Sequence, residues 1–405
     1  MSTRTDRCAI VLSAGGVRGA YQVGVIDAMV DLLGRRGAAG PPLFNSFSGS
    51  SIGAINTAYL AANADRADHA IDGLVRLWKN LDVSQSLRFS PSSLLWGYPR
   101  LRLPGCRGRE KFPISGYVGR SLFDPRPVEA LLEQEIDWDR LHANVRNAIV
   151  DAVVIGAHDI QEGRATLFAE LAEGVKLRAY PEPARTELEP VTLERVLAST
   201  ALPFMFPAQG IGGRYYMDSG LSLATPVLPA LRVDADRVVV ISLHEQHRPG
   251  REGKLEYPSF IYLLGQICAA LLLDPDLSSL NTLLQTNRAF EAVAETIDPP
   301  TMAEVIEKFE EHQILPHRPI PTLVFRPSEN IALLTSEFMR EELASGRLSL
   351  LWRVLLRNAG CEEAGHQALL ASILFLDGRL AERLIELGRR DAYAASEEIL
   401  EFFGG

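Results

Sequence analysis

Short apolar runs, each closed by a glycine or a small polar turn, alternate with segments of helical period over the first 243 residues. Cys8–Ser13 is the first such run. It predicts a buried strand, being short, apolar and followed at once by glycine. Tyr21, Val25, Ile26 and Met29 then recur at helical spacing and predict an amphipathic helix. Leu43–Phe47 predicts a second strand, and the small-residue run Ile52–Ala62 a helix packed close to a sheet. Ala67–Leu81 repeats the helical pattern, with Ile71, Leu74, Val75 and Trp78 on one face. Further on, Pro127–Gln134 reads as a helix. Ala148–Ala157 and Ala165–Ala169 pair across the turn Gln161-Glu162-Gly163. Thr192 caps a helix through Leu197. Arg214–Met217 is strand-like and aromatic, Asp236–Leu243 is a buried strand, and Pro321–Phe325 is a late one. The chain beyond Tyr257 is mostly helical, including Ile331–Phe403. The pattern is that of an α/β domain whose late strand returns to the same sheet.

Three stretches carry candidate chemistry. Gly49-Ser50-Ser51-Ile52-Gly53 fits the G-x-S-x-G nucleophile elbow, and it lies between a predicted strand and a predicted helix, the context that motif needs. The alternative is a helix start with serine at its cap. Gly15-Gly16-Val17-Arg18-Gly19 follows the first strand and leads into a helix, a geometry that aims backbone N–H groups at an anion. No Gly-Lys-Ser/Thr follows, so it is not a P-loop. Ala14 occupies the first glycine position of a dinucleotide fingerprint, so that motif fails too. An oxyanion hole uses both this loop and Ser51; a glycine turn needed only for packing is the other reading. Asp218, in Asp218-Ser219-Gly220, ends an aromatic segment. Its apolar approach suits a tuned base, although an Asp closing a turn is the commoner use.

Composition narrows the field. Lys and Arg number 41 against 51 Asp and Glu, giving a net charge of −10. That balance argues against nucleic acid as a partner. The four cysteines, Cys8, Cys106, Cys268 and Cys361, are widely spaced and form no metal or redox pair. The N-terminus lacks a signal-like apolar segment, and the longest apolar run, Phe260–Leu273, is too short to span a bilayer. A cytoplasmic protein is expected. Residues 83–123 break the pattern with prolines and glycines. There Arg88, Arg100, Arg102, Arg107, Arg109 and Lys111 lie beside Phe89, Leu94, Leu95, Trp96 and Tyr98. A basic, aromatic insert of this kind suits peripheral contact with an anionic membrane, or else packs as an ordinary surface insert.

Taken together, the glycine loop, the serine elbow with Ala54-Ile55-Asn56 behind it, and Asp218-Ser219-Gly220 followed by Thr225-Pro226 resemble the patatin-like phospholipase family. The stretch Ala201-Leu202-Pro203-Phe204-Met205-Phe206-Pro207 strengthens the likeness, which runs from Cys8 to Leu243. Beyond Tyr257 the chain is similar, more weakly, to the extra helices of bacterial relatives. The resemblance implies a three-layer α/β/α sandwich over residues 6–330, with the insert at 83–123 and a helical C-terminal extension at 331–405. It implies a carboxylic ester hydrolase of the phospholipase A or lysophospholipase type acting on phospholipid or another acyl lipid. Ser51 is then the nucleophile and Asp218 its base. Gly15, Gly16, Val17, Arg18 and Gly19 form the oxyanion loop, and Gly49 and Gly53 flank the elbow. No metal or cofactor is implied. Two positions depart from the pattern: Ala14 replaces the first loop glycine, and Ser219 replaces the glycine after the Asp, where a positive φ would suit serine poorly. Two rival readings stand beside this one. The order Ser51, Asp218, His244 matches an α/β-hydrolase triad, and a catalytically silent module of the same fold would bind lipid or protein.

Overall fold

Five apolar residues, Cys8–Leu12, form strand β1, buried along its whole length. The computed structural model describes residues 7–37, 40–89, 121–179, 184–244, 277–346 and 369–404, with single positions at 263, 266, 267 and 270. After β1 come α1 (Gly19–Leu32), β2 (Ser46–Gly49), α2 (Ile52–Ala62), α3 (Ala67–Lys79), α4 (Val83–Ser86) and β3 (Arg88–Phe89). Next are β4 (Phe123–Asp124), α5 (Arg126–Glu135), α6 (Trp138–Arg146), β5 (Ala152–Asp159), β6 (Arg164–Leu171) and β7 (Arg185–Leu188). Then follow α7 (Leu193–Ser199), β8 (Gln209–Ile211), β9 (Arg214–Met217), α8 (Val227–Arg232) and β10 (Arg237–Ile241). The described chain ends with α9 (Leu277–Ala294), α10 (Pro299–Glu311), β11 (Thr322–Phe325), α11 (Ile331–Ser345), α12 (Ala371–Leu374), α13 (Gly378–Ala394) and α14 (Ser396–Gly404).

The main sheet runs β11-β10-β1-β2-β5-β6-β7. Its first five strands are parallel neighbours. The β5–β6 hairpin is antiparallel, and β9 joins β5 at His158 and Asp159. Parallel strands are covered on both faces, which is why β1 and β10 read as continuous apolar runs rather than as alternating ones. Ile10 and Leu12 face a large core shared with α1, α2, α3 and α13. Ala9 and Val11 face the opposite layer, where α8 and α9 supply Val227, Ala230, Leu280 and Leu283. The result is the expected α/β/α sandwich. From β1 the chain builds outward to β2 and β5, then returns to place β10 on the other flank of β1. Ligand sites of open parallel sheets lie outside the carboxyl ends of strands at such a reversal.

Several elements differ from the sequence expectation, each for a packing reason. Helix α1 is buried from Gly19 to Val30 rather than amphipathic. Its outer face is covered by α13, and the two helices meet through glycines. A Cβ on Gly24 would lie 2.0 Å from the Ile385 carbonyl oxygen, and one on Gly388 2.2 Å from that of Tyr21. The Tyr21 hydroxyl donates to Asp391 across the same junction at 3.0 Å. Strand β2 starts three residues later than Leu43 and ends two later than Phe47, with Ser46 and Ser48, polar by sequence, buried in it. Ser48 Oγ meets the Pro226 carbonyl oxygen at 2.7 Å. Strand β5 begins at Ala152 rather than Ala148, since Ala148 holds a positive φ in the turn after α6. Thr192 does occupy the N-cap of α7, but without a side-chain cap bond.

Of the four cysteines, Cys8 is buried in β1; the other three lie outside the described residues. Most of the insert, residues 90–120, also lies outside them, together with every residue named there except Arg88 and Phe89. The described ends of the insert pair as β3 and β4. Much of the run Phe260–Leu273 is likewise undescribed. Among the described residues no helix is long and apolar enough to cross a membrane.

The α1–α13 contact yields a stability prediction. Gly388→Ala should destabilise the fold by about 1–3 kcal/mol through overpacking, read as a lower urea midpoint at unchanged m-value. An unchanged midpoint would show that the two helices separate at no cost.

Candidate active site

Between β2 and α2 only Ser50 and Ser51 make the turn, so the nucleophile candidate sits at the carboxyl end of a central strand and at the start of a helix. Ser51 adopts φ 51° and ψ −122°. A positive φ on a residue with a side chain stores backbone strain, commonly about 1–3 kcal/mol, and it persists only where neighbours hold it. Here the Ser51 amide donates to the hydroxyls of Ser199 and Ser219, each at 3.0 Å. The Ser50 amide donates to the Leu12 carbonyl of β1 at 3.1 Å. The flanking glycines serve close approach. A Cβ on Gly53 would stand 2.2 Å from the Leu12 carbonyl oxygen, and one on Gly49 2.4 Å from that of Gly53.

Asp218 arrives by a different route. Strand β9 hangs on the end of β5 and stops at Met217. Asp218 then caps a 3-10 turn, Ser219–Leu221, with Oδ1 accepting from the Gly220 amide at 2.8 Å. Its own amide donates to the Ala201 carbonyl at 3.0 Å. The other carboxyl oxygen, Oδ2, accepts from Ser51 Oγ at 2.6 Å. Both side chains are buried. Burial pushes the Asp218 carboxyl up to about 7 from its ordinary 3.8, against the opposing pull of the Ser51 hydroxyl and the Gly220 amide. The desolvation cost wins because, among the described residues, no cation offsets it.

The glycine loop lies beside this pair. Gly16–Arg18 form a 3-10 turn with Gly15 at its N-cap and no side-chain cap bond. The first amides of such a turn have no partner within it. Gly16 has φ 61°, and a Cβ there would strike the Ile373 carbonyl oxygen at 2.0 Å. Gly16, Ser51 and Asp218 line one pocket, whose remaining wall is mostly apolar and includes Ile55, Leu202 and Phe206. Val17 and Gly19 are buried, and Gly19 leaves room for Ile52. Ala14 has its amide bonded to the Ala224 carbonyl at 2.8 Å, so that position belongs to the scaffold. Arg18 is 1% exposed. Its guanidinium donates to the Ser372 hydroxyl at 2.8 and 3.2 Å. It thus ties the loop to α12.

His244 follows β10 and is half-buried, with its amide near Ser242 Oγ at 3.3 Å. The carboxyl of Asp218 reaches Ser51 directly.

The family model described as patatin-like phospholipase matches residues 10–231, more than half of the chain and all of the loop, elbow and Asp218. The chain belongs to the patatin-like phospholipase family. Patatin-like proteins are lipid acyl hydrolases, and the α/β/α sheet and its carboxyl-end site agree with membership. Among solved structures the chain is similar to the crystal structure of VipD from Legionella pneumophila, at 12% identity and a TM-score of 0.32, over 98% of this chain and 90% of that one. No curated protein matches the chain.

Within this patatin-like site, sequence reasoning missed the partners of the elbow. Ser199 appears in the sequence only as a small polar residue inside Ala198–Leu202. Ser219 looked like a departure from the family, yet it opens a 3-10 turn and is not among the residues with positive φ. Ile373, Leu374 and Leu376 line the pocket from far along the chain, beyond the matched region. Nothing local in the sequence connects them to the elbow.

The raised carboxyl of Asp218 fixes a pH dependence of folding. A buried acid with a raised pKa contributes its full stability below the unfolded value and loses it as pH rises through about 7. Asp218→Asn has no charge to bury. Its stability relative to the parent should therefore climb by a few kcal/mol between pH 4 and pH 8, measured by urea unfolding at each pH. A pH-independent difference would mean that Asp218 titrates as an exposed carboxylate.

Proposed function

We propose that the chain is a serine lipid acyl hydrolase of the phospholipase A or lysophospholipase type, working through a Ser51–Asp218 dyad. The observation that carries the reading is the 2.6 Å bond from Ser51 Oγ to a buried carboxyl at the head of an apolar pocket. As the hydroxyl attacks an ester carbonyl, its proton passes to Asp218. The carbonyl oxygen becomes an oxyanion, for which the amides of Gly15, Gly16 and Val17 are the proposed donors, Gly16 lining the pocket beside Ser51. One such donor is worth about 3 kcal/mol in other hydrolases. Collapse breaks the ester bond, and Asp218 returns the proton to the departing alcohol. Water then repeats the cycle on the acyl-enzyme: Asp218 takes its proton, the acyl–Ser51 bond breaks, and Ser51 recovers a proton as the fatty acid leaves. An apolar pocket accommodates the acyl chain by burial, which supports a lipid ester over a polar one.

The basic, aromatic insert supports peripheral contact with an anionic lipid surface. Its described ends, β3 and β4, adjoin the pocket residues Leu87 and Pro125. A chain entering there would come straight from the interface.

A fluorophosphonate probe tests the dyad. Labelling at Ser51 is expected, with loss in Ser51→Ala and Asp218→Ala and retention in His244→Ala. If His244→Ala is as inactive as Ser51→Ala, a triad operates instead; a folded parent that stays unlabelled is a silent binding module. The base must be a carboxylate, so kcat/KM on a soluble ester should rise with pH through a limb near 7.

For the insert, changing Arg100, Arg102 and Arg107 together to Glu should weaken binding to anionic vesicles, more so at low salt where screening is less. Hydrolysis of a short soluble ester should hardly change. Equal loss on both substrates makes the insert structural.

A further inference from the structure

Two hydroxyls accept from the amide of Ser51 and a third bonds to one of them, and none belongs to the reacting pair. Ser219 Oγ lies 2.6 Å from Ser50 Oγ and 3.1 Å from Ser199 Oγ, and it accepts from the Ser51 amide at 3.0 Å. Ser199 Oγ accepts from the same amide at 3.0 Å. Ser50, Ser199 and Ser219 are each 0% exposed. A serine hydroxyl has one donor and two acceptor positions. For Ser219 the amide fills one acceptor, and the two neighbouring hydroxyls take the donor and the second acceptor. Its hydrogen-bonding capacity is therefore fully used inside the protein. Room for the side chain comes from Gly156 of β5, where a Cβ would stand 3.3 Å from Ser219 Cβ and 3.2 Å from Leu223.

Resting on the dyad reading, we infer that Ser219 is a positioning residue: its hydroxyl clamps the strained amide of Ser51 to the residue next to Asp218, and so sets the nucleophile–base geometry. Two bonds then join the elbow to the 218–219 turn. One is Ser51 Oγ to Asp218 Oδ2; the other is the Ser51 amide to Ser219 Oγ. The first is broken whenever Ser51 Oγ carries an acyl group. The second survives that step, because the amide takes no part in the chemistry. Ser199 provides a second acceptor from the end of α7, but it does not adjoin the base in sequence. The departure from glycine at position 219 thus supplies a contact that glycine lacks.

The test uses the full chain with Ser219→Ala, Ser219→Cys and Ser219→Thr, a fluorophosphonate probe and a short soluble ester. A loss of positioning should lower the second-order labelling rate and kcat for Ser219→Ala by about tenfold, since small displacements of reacting groups carry costs of this order. KM should stay within about twofold, which separates this from loss of substrate binding. The acid limb of the pH profile should stay in place, because the Asp218 partners Ser51 and Gly220 remain. Ser219→Thr, which keeps the hydroxyl, should recover most of the rate. Ser219→Cys, a weaker acceptor of similar shape, should fall between and serves if Ser219→Ala does not fold. A labelled parent whose folded Ala or Cys variant reacts at the parent rate overturns the inference and leaves the dyad standing. So does a loss that Thr does not recover in a folded protein. An unlabelled, inactive parent overturns the dyad and the inference together.

Discussion

Everything at the site depends on how closely the first turn of α2 approaches β1. Gly53 rests against the Leu12 carbonyl, and the Ser50 amide bonds to the same carbonyl. At that distance the chain has two residues in which to turn from strand to helix. The price is the positive φ of Ser51. The strain has a use: it lifts Oγ off the backbone at the helix start, where partial positive charge favours an anion. A relaxed turn with a larger residue at 53 would move the helix away from β1 and take the hydroxyl out of reach of Asp218.

The second constraint is the burial of an acid without a cation. Proteins normally pair such a group or leave it in water. Asp218 has a hydroxyl and one amide, and its carboxyl is consequently held near neutrality. That position is the one a proton acceptor working near pH 7 needs, as the proposed dyad requires. Violations of folding preference concentrated at one place, here a strained serine and an unpaired acid 2.6 Å apart, are what functional sites look like against a consistent scaffold.

The layered fold and the loop, elbow and aspartate were legible because each has a local signature. Helix α2 begins and ends where its small residues do, and β1 matches its apolar run to within one residue. Legibility failed where burial came from distant chain. The outer face of α1 carries no local sign that α13 will cover it, so its apolar stripe looked one-sided. Strand β2 lies at Ser46–Gly49 rather than Leu43–Phe47, and the burial of Ser48, which follows from its bond to Pro226, leaves no apolar mark in the sequence. By the family pattern Ser219 is a backbone departure, whereas its side chain makes three hydrogen bonds to residues 20 and about 170 positions away. Such bonds follow from tertiary arrangement and leave no periodicity behind.

The distribution of the site along the chain has a further consequence. The family match ends at residue 231, with Gly16, Ser51 and Asp218 inside it. Yet the structure completes itself with later segments. Strands β10 and β11 supply one flank of the sheet, and α13 closes over α1. Near the pocket, the Ile373 carbonyl presses on Gly16 while Ser372 receives the guanidinium of Arg18. The loop that offers its amides to the pocket is therefore held from two sides, by β1 within the matched region and by α12 outside it. A buried guanidinium anchored on a hydroxyl is costly to release, so the loop conformation and the position of α12 must change together. Residues 369–376 thus belong to the pocket as the elbow does: Ile373 and Leu374 form part of its wall, and Ile373 and Ser372 hold the glycine loop in place.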